Sequence, residues 1–86
     1  MALFEIRFAP SVQKDLRKIP KDIAQKILEN IRLLAKNPKP FGFRLLEGSE
    51  IAWRIKINKY RVVYTIEDKV LIITVVRVAH RKDVYR

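Results

Sequence analysis

Trp53-Arg54-Ile55-Lys56-Ile57-Asn58-Lys59-Tyr60-Arg61-Val62-Val63-Tyr64 is the stretch that decides the fold. On each side of Asn58-Lys59, apolar and polar residues alternate, the period-two pattern of a strand with one buried face. Asn tolerates positive φ, so Asn58-Lys59 reads as a two-residue hairpin loop. That loop fixes a register. Ile57 faces Tyr60, Lys56 faces Arg61, Arg54 faces Val63 and Trp53 faces Tyr64. Trp53, Ile55, Ile57, Tyr60, Val62 and Tyr64 then share a core face, while Lys56 and Arg61 share the other. Like charges directly opposed on a sheet are destabilising. Two readings of the pair stay open. Either an anion binds between the two cations and relieves the repulsion, or both are solvated on an edge hairpin, where such pairs change stability by under about 1 kcal/mol.

Outward toward the C-terminus lies the most apolar run, Val70-Leu71-Ile72-Ile73-Thr74-Val75-Val76. It is expected to form a central strand buried on both faces, entered through a turn at Glu67-Asp68 or Asp68-Lys69. It delivers the tail His80-Arg81-Lys82-Asp83-Val84-Tyr85-Arg86 to a sheet edge. There His80, Arg81 and Tyr85 are expected to join Lys56 and Arg61 in one cationic cleft.

Outward toward the N-terminus, Lys39–Glu50 reads as a loop with Pro40, Gly42 and Gly48, packed down by Phe41, Phe43, Leu45 and Leu46. Before it come two helices. Ser11 is read as the N-cap of the first, with Val12, Leu16 and Ile19 at helical spacing. Pro20 closes that helix and opens the second, where Asp22 favours the dipole. Ile23, Ile27, Ile31 and Leu34 form the second apolar stripe, and Asn37-Pro38 ends it. Lys14, Arg17, Lys18, Lys21, Lys26, Arg32 and Lys36 lie on the outer helical face, either simply solvated or jointly touching structured RNA. Leu3–Phe8 alternates as an opening strand. The order βααβββ predicts an α+β fold. Two N-terminal helices cover one face of a mainly antiparallel four-stranded sheet, with a short C-terminal helix or tail.

At 86 residues and 49% apolar content, the chain is expected to form a single domain, 1–86, with a real core. It contains no cysteine and one histidine, so disulfides and thiolate metal sites are excluded. The sequence gives no reason to expect a metal or a cofactor. No apolar run is long enough to cross a membrane as a helix, and the opening residues do not resemble a signal peptide, so a cytoplasmic protein is expected. The net charge is +10. Residues 52–86 hold nine Lys/Arg against three Asp/Glu, and residues 1–51 hold ten against six. A basic surface attracts nucleic acid by releasing phosphate counterions, so nucleic acid or an acidic protein is the expected partner.

The chain resembles the RelE family of toxins from toxin–antitoxin modules, within the RelE/ParE superfamily. The resemblance spans the opening strand ending in Pro10, the two helices and the Gly48…Trp53-Arg54-Ile55 approach. Its most specific parts are Tyr60-Arg61-Val62-Val63-Tyr64 and His80-Arg81-Lys82-Asp83-Val84-Tyr85-Arg86. The resemblance implies a toxin that enters the decoding site of the small ribosomal subunit and cuts mRNA there without a metal. The 2′-hydroxyl attacks the adjacent phosphate, leaving a cyclic phosphate and a free 5′-hydroxyl. A cognate RelB-like antitoxin covers the basic face. By position, Arg61 corresponds to the family's phosphate-binding arginine, and Arg54 and Lys56 to basic residues on the preceding strand. Arg81 and Tyr85 correspond to the tail pair.

Three residues separate Arg81 from Tyr85, fewer than in some members, so Arg81 and Lys82 both stand as candidates for the scissile phosphate. With one histidine, a His–His acid–base pair is impossible. Fixed cations then carry the chemistry, with Lys56 or Tyr85 as base. Catalytic candidates are therefore Arg61, Arg81, Tyr85 and Lys56. RNA-binding candidates are Arg54, Lys59, His80, Lys82 and Arg86. The rival readings are a ParE-like inhibitor of DNA gyrase, a non-catalytic RNA- or ribosome-binding module, and an inactive relative of the same fold.

Overall fold

A computed structural model describes residues 3–83. The elements are β1 (Glu5–Phe8), α1 (Pro10–Arg17), α2 (Lys21–Leu33), β2 (Arg44–Leu45), β3 (Ala52–Ile57), β4 (Tyr60–Glu67) and β5 (Ile72–His80). They form a five-stranded sheet in the order β1-β5-β4-β3-β2. The α+β class and the helix pair agree with expectation. The sheet differs from it in strand count and direction. It is mixed, because β1 runs parallel to β5. It also gains β2, a two-residue strand within the segment expected to be loop. Glycines and prolines obscure β2 in sequence, and pairing holds it in place: Arg44 opposite Arg54, Leu45 opposite Trp53, and the Phe43 ring 4.9 Å from Trp53.

The β3–β4 hairpin has the register expected from Asn58-Lys59, from Ile57↔Tyr60 to Trp53↔Tyr64. Asn58 adopts φ 55°, which supplies the twist a two-residue loop needs. The β4–β5 connection is a four-residue turn, 68–71, with Glu67 paired to Ile72. Neither expected two-residue turn forms. Leu71 takes φ 56°, and Val70 is exposed rather than part of the strand. The β5 strand lies inside the sheet, but its core face alternates: Ile73, Val75 and Val78 are buried.

Helix α1 begins at Pro10, with Ala9 as N-cap and no side-chain cap bond. Ser11 is therefore not the cap. Its hydroxyl donates to the Val76 carbonyl. One turn on, the Asp15 carboxylate accepts the Val78 N–H at 3.0 Å. Pairing of β1 with β5 ends at Phe8↔Val75, so beyond Val75 the outer edge of β5 would be bare. Ser11 and Asp15, four apart on one helical face, satisfy that edge instead. An eight-residue helix is marginal alone; burial of Val12 and these two bonds hold it. Both helices cover the same sheet face. Val12, Ile19, Ile27, Ile31 and Leu34 pack with Ile55, Val62, Tyr64, Ile73, Val75 and Val78. Among the described residues, the other face carries no helix.

Candidate functional site

The helix-free face is ordered in rows by the strand registers. Nearest the Asn58-Lys59 turn lie Lys56, Arg61 and Ala79, paired side by side across β3, β4 and β5. The next row is Arg44, Arg54, Val63 and Arg77. Then come Ala52, Thr65, Thr74 and Arg7, and last Glu67, Ile72 and Glu5. Cations therefore gather at the hairpin end and carboxylates at the other. The Glu5–Arg7 salt bridge belongs to the far end.

Interspersed with the cations is a small apolar floor. Ala52 and Val63 are buried, with Leu46, Val76 and Ala79 packed against them. Arg54 and Arg77 flank Val63 as its cross-strand partners, where arginine stems cover apolar surface and leave their heads at its rim. The Arg54 Nε is buried without a hydrogen-bond partner among the described residues. One terminal nitrogen of the Arg61 guanidinium donates to the Tyr60 carbonyl at 3.2 Å, which ties the head of the side chain to its own strand. Planar guanidinium groups and an ammonium set in neighbouring rows of one face suit phosphate oxygens.

Lys56, Arg61 and Arg54 share this face. Lys59 sits in the hairpin turn, and its carbonyl accepts the Arg81 N–H at 2.8 Å, which brings the start of the tail beside that turn. Lys82 follows in the 81–83 turn, its N–H directed to the His80 Nδ1. His80 does not join Lys56 and Arg61. It pairs with Tyr60 on the opposite, helix-facing side, their rings 5.6 Å apart and edge-on. There it borders a hollow with Ile23 of α2. A one-residue slip in the pairing of β5 with β4 explains the difference: Ala79, not His80, is the neighbour of Arg61. Tyr85 and Arg86, and with them any C-terminal helix, lie outside the described residues.

The tyrosines of the Tyr60–Tyr64 strand are structural. Tyr64 is fully buried, and its hydroxyl donates to the Pro38 carbonyl at 2.8 Å, tying the loop after α2 to the sheet. Burial pushes its pKa up to about 12. Arg44 and Arg77 were not among the expected site residues. Arg44 is hidden in an apparent loop. Arg77 could have been found from the doubled apolar pair Val75-Val76, which breaks the alternation just before it.

A family model described as the ParE toxin of the type II toxin–antitoxin system parDE matches residues 6–85. The chain is 32% identical over 88 residues to a putative toxin RelE1 of Methanocaldococcus jannaschii, covering 96% of each. It is 29% identical over 84 residues to toxin RelG of Mycobacterium tuberculosis, covering 96% of this chain and 97% of that one. Among solved structures, a chain of the M. tuberculosis RelBE2 toxin–antitoxin complex matches with TM-score 0.83 and 26% identity, covering 96% of this chain and 97% of that one. A chain of the archaeal RelE–RelB complex from Pyrococcus horikoshii matches with TM-score 0.80 and 26% identity, covering 94% and 98%.

Proposed function

Because the chain belongs to the RelE/ParE family of toxins from type II toxin–antitoxin systems, we propose that it is a ribosome-dependent mRNA endonuclease neutralised by a RelB-like antitoxin. The observation that carries the reading is the row of Lys56 and Arg61 on a face that no helix among the described residues covers, with Arg54 in the adjoining row. The relatives crystallised as RelE–RelB complexes supply the antitoxin class.

The reaction needs no metal. The 2′-oxygen of one nucleotide attacks the adjacent phosphorus, and the bond to the 5′-oxygen of the next nucleotide breaks. The 2′-proton passes to a base, Lys56 or Tyr85, and the leaving 5′-oxygen takes a proton from water. A 2′,3′-cyclic phosphate and a 5′-hydroxyl result. Arg61 and Arg81 hold the scissile phosphate and oppose its growing negative charge, the kind of effect that costs about 10²–10³-fold when one donor is removed. Arg54, Lys59, Lys82 and Arg86 hold the flanking RNA. His80 stands on the other face of the sheet and has no place in this clamp. The ribosome orients the mRNA for in-line attack, so a sparse site suffices. Such work takes place in the cytoplasm; no helix among the described residues is long and apolar enough to cross a membrane.

A second reading rests on the matching family description, that of the ParE toxin: a gyrase inhibitor built on the same fold. Purified protein added to programmed ribosomes and, separately, to gyrase with plasmid DNA distinguishes the two. New 5′-hydroxyl ends on ribosome-bound mRNA support the nuclease. Gyrase-dependent double-strand breaks without mRNA cleavage replace it with the inhibitor.

A further inference from the structure

The β5 strand slips by one residue inside the sheet. Tyr64 pairs with Val75 but Val63 pairs with Arg77, so Val76 is an extra residue on β5. If Val76 were instead paired in a regular ladder with no slip, the alternation running through Ile73 and Val75 would carry Arg77 into the core and turn Val78 outward. With the slip, Val78 is buried and Arg77 stands beside Val63 on the helix-free face. Bulges re-aim side chains in this way and concentrate near functional sites.

Arg77 completes a row with Arg44 and Arg54. Among the described residues no carboxylate forms an ion pair with any of the three. Arg44 lies directly opposite Arg54, an arrangement that repels. The Arg54 Nε is a buried donor lacking an acceptor, and such groups call for an explanation. An anion over Val63 answers both features. This row and the row of Lys56 and Arg61 are two residues apart along the strands, about 6.7 Å. That matches the step between successive phosphates of an extended ribonucleotide strand.

We infer that Arg54 and Arg77, with Arg44 beside them, form a second phosphate subsite. It holds the phosphate next to the scissile one and so positions the strand on this face of the sheet. The inference rests on the endonuclease reading for the identity of that strand. A phosphodiester backbone fits this row better than an acidic peptide does. A peptide bound as an added strand needs a free sheet edge, and this row lies on the flat of the sheet, across four strands.

The test is binding of an uncleavable 2′-O-methyl RNA oligonucleotide across a salt series, with unfolding curves confirming that each variant is folded. Each lost phosphate contact lowers the slope of log K against log salt by about 0.7 for a single strand. Arg44→Gln and Arg77→Gln each flatten the slope by about that amount, and Arg77→Lys restores it. Unchanged slopes in folded variants overturn the subsite. So does polyglutamate of equal length binding as tightly as the RNA, with the same loss of slope in the variants. If wild-type protein leaves ribosome-bound mRNA intact while the slopes still flatten, the subsite stands and the nuclease reading falls.

Discussion

At the scale of single residues, Tyr64 separates structural from chemical roles within one strand. Its ring lies in the core and its hydroxyl meets the Pro38 carbonyl. The neutral phenol is favoured by burial, which raises the pKa from 10.0 to about 12. The raised value means the stabilisation is fully present below pH 10 and is lost as pH climbs toward 12. Tyr64→Phe leaves the Pro38 carbonyl unpaired, so stability at pH 7 falls by about 1–3 kcal/mol. The same variant loses the alkaline sensitivity that Tyr64 contributes. Urea denaturation at pH 7 and pH 11 checks both outcomes. Arg61, three residues earlier, points the other way. Which tyrosines and arginines share a face is legible in the sequence, because period-two alternation and a two-residue turn leave one register. The placement of His80 is not legible in this way, since it depends on the slip in β5.

Among the elements, the β3–β4 hairpin follows from local chemistry and the rest of the sheet does not. Asn58 holds φ 55° in an exposed turn. Asn58→Ile forces a β-branched residue into left-handed geometry and costs about 1–2 kcal/mol, whereas Asn58→Gly changes stability by less; thermal melts compare the two. The β2 strand and the parallel pairing of β1 are long-range outcomes that no local pattern announces. The bulge at Val76 leaves only a doubled valine as its mark. Deletion of Val76 removes the extra residue and leaves a regular alternation, with Arg77 still beside Val63 and Val78 still buried. The expected result is a chain that keeps a cooperative unfolding transition. Helix α1 is legible as a helix from its spacing. Its function of covering the bare edge of β5 through Ser11 and Asp15 becomes visible only once β1 is known to end at Phe8.

For the whole molecule, the two sheet faces divide the work. One is sealed by α1 and α2. The other is polarised, with Glu5 and Glu67 at one end and Lys56, Arg61, Arg54, Arg44 and Arg77 at the other. A net charge of +10 draws the molecule toward RNA from any direction, and the rows determine where a backbone settles. The account stands most directly on cutting of mRNA in translating ribosomes by wild-type protein and by the folded double variant Arg61→Ala/Arg81→Ala, followed by mapping 5′-hydroxyl ends. The account predicts new ends with wild type and a loss of at least about 10²-fold in the variant. Undiminished cutting by the folded variant contradicts it.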